Sequence, residues 1–147
     1  MTPKLSSEVK KVICGFAGIG KSTCAKELLG VVDLESTPFN KDWEVYARCA
    51  KHMADNGYTV LLSCHKELRQ HLLDNGVEFT TVIPSPILRE GSHSIDSKTV
   101  YLKRYKDRGN TQDFIKLMSN NWGEFNTVLP NEEVIELPLD KYLIDIL

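Results

Sequence analysis

No stretch of this 147-residue chain approaches the roughly 20 consecutive apolar residues that a helix needs to cross a bilayer, and the start, MTPKLSSEVKK, lacks the apolar centre of a signal peptide. A cytoplasmic address is therefore expected, with no membrane partner. There is no excess of positive charge either. Eighteen Lys and Arg stand against 20 Asp and Glu, for a formal charge of -2. Without a basic tail, the chain is not expected to be held on bulk nucleic acid by phosphate neutralisation, which leaves room only for a local cationic patch that handles a small anion or a strand end. Its four cysteines, Cys14, Cys24, Cys49 and Cys64, include no C-x-x-C pair, and each sits beside apolar or helical sequence. They read as buried or half-buried thiols rather than metal ligands or redox partners. Repeats, low-complexity tracts and interdomain linkers are also missing. With 41% hydrophobic residues, the composition predicts one globular domain over residues 1–147, burying roughly two-thirds of its unfolded surface.

What is present is an alternation of short apolar runs and amphipathic stretches. KKVICG (10–15) reads as a strand entering glycine, and the segment after Gly20 as a helix with Ala25, Leu28 and Leu29 on its apolar face and Gly30 as its stop. VVDLE (31–35) is a second strand, followed by a helix in which Trp43, Tyr46, Ala47, Ala50 and Ala54 recur at helical spacing up to Asn56-Gly57. YTVLLS (58–63) has the continuous apolar character of a parallel strand covered on both faces, and a helix over 65–76 follows it. EFTTVIP (78–84) is a fourth strand, stopped by Pro84-Ser85-Pro86. The polar stretch from Leu88 to Asp96 reads as a mobile connection or short lid within the domain, the lid-like region spanning about residues 85–108. Helices over 97–108 and 111–122, a strand EVIEL (133–137) and a short turn near 141–146 complete the pattern. Units of this length require right-handed crossovers. They predict an α/β fold with a doubly wound, open parallel sheet of five strands between helices.

The strongest motif is Gly15-Phe16-Ala17-Gly18-Ile19-Gly20-Lys21-Ser22, a full G-x-x-x-x-G-K-[ST] sequence between a strand and a helix. Its glycines let successive N–H groups converge on a phosphate, and the helix that follows adds its own unpaired amides and positive end. Lys21 is placed to reach the β- and γ-phosphates, and the Ser22 hydroxyl is the expected Mg²⁺ ligand. The rest of the chain narrows the class. There is no N-K-x-D sequence of a GTPase, and YTVLLSCH ends in Ser63 with no acid at the position a motor or AAA-type machine would need. A small ATP- and Mg²⁺-dependent kinase fits these residues.

Asp33 and Glu35 follow the second strand, and functional groups in doubly wound sheets gather beyond the carboxyl ends of strands. Alternation along an extended backbone turns both carboxylates to one side, where one can orient or deprotonate an acceptor hydroxyl and the other position substrate or metal-bound water. Ser63 and His65 stand at the end of the third strand, His65 as a candidate substrate contact and Ser63 as a candidate for the metal's water shell or a helix N-cap. Arg104 and Arg108, four apart on a helix, are expected on one face as cations over the transferring phosphoryl group, with surface ion pairing to Asp107 or Glu124 as the alternative. Arg89 is a weaker candidate for the same task. Trp43 and Tyr46 are read first as core and second as the wall of an acceptor pocket, while Trp122 and Phe125 are read as anchors of the late helices.

On GFAGIGKS, the strand ending in Asp33 and Glu35, and the later Arg104 and Arg108, the chain resembles P-loop kinases of the nucleoside monophosphate kinase-like group. Over VDLES, TVLLSCHKELR and YLKRYKDRGN it is similar to small nucleoside or nucleotide kinase-like proteins of bacteriophages and prophages, which would place it in a host cytoplasm. The resemblance covers most of the chain. It implies a three-layer P-loop fold with sheet order 2-3-1-4-5, ATP and Mg²⁺ as co-substrates, and an arginine-bearing lid. It also implies that Gly18, Gly20, Lys21, Ser22 and Thr23, with Gly15 and Ile19 of the same loop, surround the donor phosphates and that Asp33 lies near the acceptor. No GFPR-like segment follows the third strand. The acceptor is accordingly left open among a nucleoside, a nucleotide, a hydroxymethylated base in DNA and a 5′-hydroxyl end of DNA or RNA, and a non-enzymatic ATP-dependent binding module is the alternative to a kinase.

Overall fold

The computed structural model describes residues 11–90 and 93–147, with backbone alone over 87–90 and 93–95. Strand β1 (Val12–Gly15) leads through the glycine loop into helix α1 (Lys21–Glu27). Then come β2 (Val31–Asp33), α2 (Trp43–Asp55), β3 (Thr59–Leu62), α3 (Lys66–Asp74) and β4 (Thr80–Pro84). An antiparallel hairpin, β5 (Ile87–Glu90) and β6 (His93–Asp96), precedes α4 (Ser97–Asp107), α5 (Gln112–Asn120) and α6 (Trp122–Phe125). Strand β7 (Val134–Leu137) and a 3₁₀ turn (Leu143–Asp145) end the chain.

Five strands form one parallel sheet in the order β2-β3-β1-β4-β7. With β7 as the fifth strand of that sheet, this is the expected 2-3-1-4-5 order. The central strand is buried throughout, and Cys14 lies opposite Leu62 on one side and Thr81 on the other. Period-two alternation divides the core. Ile13 and Leu61 join Phe16, Tyr101, Tyr105 and Leu143 on one face, whereas Val12, Cys14, Val60 and Leu62 meet Tyr46, Ala50, Leu68 and Leu72 on the other. The result is a three-layer α/β sandwich. The chain leaves β1 toward β2 and leaves β3 toward β4, so the connections diverge above the carboxyl ends of β1 and β3, where doubly wound sheets place their ligand crevice.

Local chemistry sets the helix limits. Asp42, Asp96 and Thr111 cap α2, α4 and α5 by accepting from Val45 N–H at 3.2 Å, Thr99 N–H at 2.8 Å and Phe114 N–H at 3.2 Å. Asn56 and Asn75 close α2 and α3 by donating side-chain amides to the His52 and His71 carbonyls. Two expectations are corrected. Helix α1 ends at Glu27, so Leu29 is fully exposed and Cys24, not the Leu28-Leu29 pair, is the side chain it buries. The helix expected over 111–122 breaks at Asn121 into α5 and α6. The polar stretch before α4, expected as a mobile connection or short lid, has the secondary structure of a β-hairpin, β5 paired with β6. Among the described residues, no helix is long and apolar enough to cross a membrane. Cys14, Cys24 and Cys64 are buried and Cys49 is half-buried, all as free thiols.

Candidate phosphate-binding site

The loop between β1 and α1 turns its carbonyls away from the cleft. Lys21 Nζ donates to the Gly15 carbonyl at 2.5 Å, the Ile19 N–H to Phe16 at 3.3 Å, Tyr105 Oη to Ala17 at 2.7 Å and Arg104 Nη1 to Gly18 at 2.9 Å. The Leu143 N–H takes the Ile19 carbonyl at 2.7 Å, and the Cys24 N–H takes that of Gly20 at 3.1 Å. Every carbonyl from Gly15 to Gly20 is thus engaged. The N–H groups of Ala17, Gly18 and Gly20 have no partner among the described residues, and no side chain caps α1. Gly18 and Gly20 have φ of 91° and 96°, left-handed conformations that glycine adopts without strain. Engaged carbonyls and three unpartnered amides bordering the cleft give the loop the donors that an anion needs.

The cleft over this loop has a volume of about 640 Å³ and is lined by Gly18, Gly20, Lys21, Ser22, Thr23, Asp33, Glu35 and Ser63, with Ser36, Thr37, Arg108 and Phe114. Asp33 and Glu35 both line it, as does Leu34 between them; Glu35 lies beyond the end of β2, so strand alternation does not sort these three residues. Ser22 Oγ donates to Asp33 Oδ2 at 3.1 Å. Burial holds the Lys21 ammonium below its ordinary range, opposed by the nearby Cys64 and Asp33. Beyond β3, Ser63 Oγ lies 2.9 Å from His65 Nδ1, so Ser63 bonds a side chain instead of capping α3. His65 packs between Trp43, with ring centroids 5.0 Å apart, and Phe125, at 5.7 Å; its burial pushes its pKa down. Tyr46 is fully buried and does more than fill space. Its hydroxyl donates to the Leu34 carbonyl at 2.5 Å and accepts from Ser63 N–H at 3.1 Å, joining the ends of β2 and β3.

The two candidate arginines have different surroundings. Arg104 is half-buried between the rings of Tyr101 and Tyr142, its guanidinium carbon 4.4 and 4.2 Å from their centroids. It forks to two carbonyls, Gly18 through Nη1 and Leu139 through Nη2, each at 2.9 Å. Arg108 is exposed, lies 5.1 Å from the Tyr105 ring centroid and bonds Asn110. It lines the main cleft and also an adjoining one of about 540 Å³ bounded by Gly18, Thr23, Val100, Lys103, Arg104 and Tyr142. Among the described residues neither arginine is in an ion pair; on this helix, that contact is Lys103 with Asp107 at 3.8 Å. The side chain of Arg89 lies outside the described residues. Ile19 is fully buried and its amide is engaged within the loop, so it shapes the nest from behind.

Several contributors carry no sequence signal. Tyr105, Tyr142 and Leu143 reach the loop from 85 or more positions away. Arg69 and Glu132 form an ion pair at 2.9 Å with side chains 1% and 0% exposed, and Arg69 Nε donates to the Cys64 carbonyl at 3.2 Å, behind the Ser63-His65 turn. No protein-family model matches the chain, and no curated protein matches it in sequence. The fold is that of a generic P-loop NTPase-like α/β domain, an architecture compatible with nucleotide binding. Among the described residues no cluster of three or more His, Cys, Asp or Glu is placed to hold a metal ion. The Ser22 hydroxyl and Asp33 carboxylate are hard oxygen donors in contact, a sparse set that suits Mg²⁺, which keeps several waters and takes further oxygens from phosphate.

Proposed function

We propose that the protein is a phosphotransferase that moves the γ-phosphoryl group of ATP to a nucleoside, nucleotide or related acceptor. The observation that carries this reading is the nest: loop carbonyls tied to donors and amides left unpartnered in residues that line the cleft with Lys21, a set of donors suited to a polyphosphate. The amides of Ala17, Gly18 and Gly20 would hold the donor, with Lys21 exchanging the Gly15 carbonyl for the β- and γ-phosphate oxygens and Thr23 flanking them. Ser22, with Asp33 behind it, would hold Mg²⁺, whose charge offsets that of the phosphates. Across the cleft, Asp33, Glu35, Ser36, Thr37 and Ser63 present two carboxylates and three hydroxyls, a face that supports an acceptor bearing a hydroxyl. Asp33 keeps Oδ2 on Ser22, leaving Oδ1 to orient that hydroxyl and take its proton. The acceptor oxygen then bonds the γ-phosphorus as the bond to the β–γ bridging oxygen breaks, and ADP leaves. Arg108, facing both clefts, is placed to meet charge on the transferring group, and His65, which lines neither cleft, would act on the acceptor through the Ser63 hydroxyl that it contacts at 2.9 Å.

The test is a transfer screen with labelled ATP and Mg²⁺ across nucleosides, nucleoside monophosphates, hydroxymethylpyrimidine DNA and 5′-hydroxyl ends. Label should reach one of these acceptors and be lost in Lys21→Ala. Asp33→Asn should keep ATP binding and lose transfer to an alcohol. ATP binding with no labelled acceptor would refute the kinase reading.

A further inference from the structure

The phosphate loop is built by residues outside its motif. Of the six engaged carbonyls from Gly15 to Gly20, two consecutive ones are held by neighbouring side chains of α4: Tyr105 Oη on Ala17 and Arg104 Nη1 on Gly18. The contact is close along its length. A Cβ at Gly18 would lie 2.7 Å from Tyr105 Cε1 and 3.4 Å from Tyr101 Cδ2, so the loop backbone rests directly on the aromatic face of the helix. Arg104 also reaches Leu139 on the segment after β7, and four residues further on Leu143 N–H takes the Ile19 carbonyl. Tyr142 covers the other side of the Arg104 guanidinium and approaches Gly20.

We propose that Arg104 and Tyr105 are positioning residues for the phosphate nest, and that Arg104 acts by holding the Gly18 carbonyl rather than by contacting the transferred phosphoryl group. The assignment rests on the phosphate-binding reading of the loop. Each peptide is a rigid plane, so fixing the Ala17 carbonyl on Tyr105 also fixes the unpartnered N–H of Gly18, and fixing the Gly18 carbonyl on Arg104 fixes the plane of the Ile19 N–H, which closes the loop onto the Phe16 carbonyl at 3.3 Å between the free amides of Gly18 and Gly20. Removing a carbonyl's donor frees that plane to rotate, and the amide cradle then has to be organised by the ligand at a cost in affinity. A lysine at 104 keeps the charge but lacks the planar fork that spans two carbonyls.

The experiment compares Tyr105→Phe, Arg104→Lys and Arg104→Met with the parent chain for binding of MgATP and MgADP by calorimetry, alongside thermal melting and amide exchange in β1 and β4. Tyr105→Phe retains the ring and loses only the hydroxyl donor, so melting should fall by only about 2–4 °C, and strand exchange in β1 and β4 should show the same small global loss with no local opening. Affinity for MgATP and MgADP should fall by the same factor, about tenfold, as expected for one carbonyl left without its donor. Arg104→Lys should lose affinity for both nucleotides as Arg104→Met does. Rescue by lysine, or a loss confined to ATP with ADP unaffected, would overturn the assignment and return Arg104 to direct phosphate contact. Parent-like binding in Tyr105→Phe would overturn it as well. If the parent itself binds neither nucleotide, the phosphate-binding reading fails and this assignment fails with it, a result distinct from parent binding with unaffected variants.

Discussion

Replacing Glu132 by Gln changes one atom in the interior and should cost a large part of the domain's stability. The Glu132 carboxylate is fully enclosed. It accepts from Arg69 Nη1 at 2.9 and 3.0 Å, from Thr81 Oγ1 at 2.5 Å and from Leu129 N–H at 2.8 Å. In Glu132→Gln, whichever oxygen becomes the amide nitrogen turns its N–H groups toward at least two of these donors, while the Arg69 guanidinium, with its side chain 1% exposed, loses its counter-charge. Leaving one member of a buried pair uncompensated costs about 3–5 kcal/mol. Against a typical total of roughly 5–15 kcal/mol that is a third or more. At about 2–4 °C per kcal/mol for a chain near this size, the melting temperature should fall by roughly 10 °C. Urea unfolding followed by tryptophan fluorescence measures the loss, and the double variant Arg69→Met/Glu132→Leu supplies the comparison. Removing both charges should recover much of the deficit, because no buried ion is left unpaired. A Glu132→Gln protein within 1 kcal/mol of the parent, or a double variant less stable than the two single losses combined, would refute the reasoning.

Acid should destabilise the fold through His65. Its burial favours the neutral ring and holds its pKa below 6.5, so the unfolded chain takes up a proton first as pH falls. Its contribution is complete above 6.5 and is lost as pH drops toward the folded value, and His65→Gln should flatten urea stability plotted against pH in that window. The thiols predict the opposite edge. Burial pushes Cys64 and Cys24 up to about 11 from 9.0, so stability should decline as pH rises from 9 toward 11, and at pH 8 a thiol reagent should modify half-buried Cys49 first and the other three only on unfolding. Gly18→Ala should abolish nucleotide binding and lower stability by roughly 1–3 kcal/mol, since it combines a φ of 91° with a Cβ 2.7 Å from the Tyr105 ring; unchanged calorimetric titration would count against the described loop geometry.

Much of this protein was determined by short-range sequence. The strand runs, the Asn-Gly helix ends, the five-strand α/β pattern and the glycine loop depend on a few neighbouring residues, and so does the arrival of Asp33 and Glu35 at the cleft beyond β2. The sheet order followed from the resemblance carried by those same motifs. Where neighbours are ambiguous, local pattern misleads or is silent: Asn121 splits what periodicity presents as one helix, and the polar run before α4 carries no signal of the β5–β6 pairing. The roles of the buried polar groups were settled only by tertiary structure. An arginine four residues from another on a helix looks like half of a phosphate clamp. Whether it meets phosphate or carbonyl depends on what lies 86 positions earlier and 35 later, and for Arg104 those are the Gly18 and Leu139 carbonyls. Tyr46 reads locally as packing, and Tyr105, Arg69 and Glu132 draw no reading at all, because spacing reports which face a side chain occupies, not which distant backbone group needs a hydrogen-bond partner there. Only the folded chain brings the groups together, and burial then makes leaving them unpaired too costly.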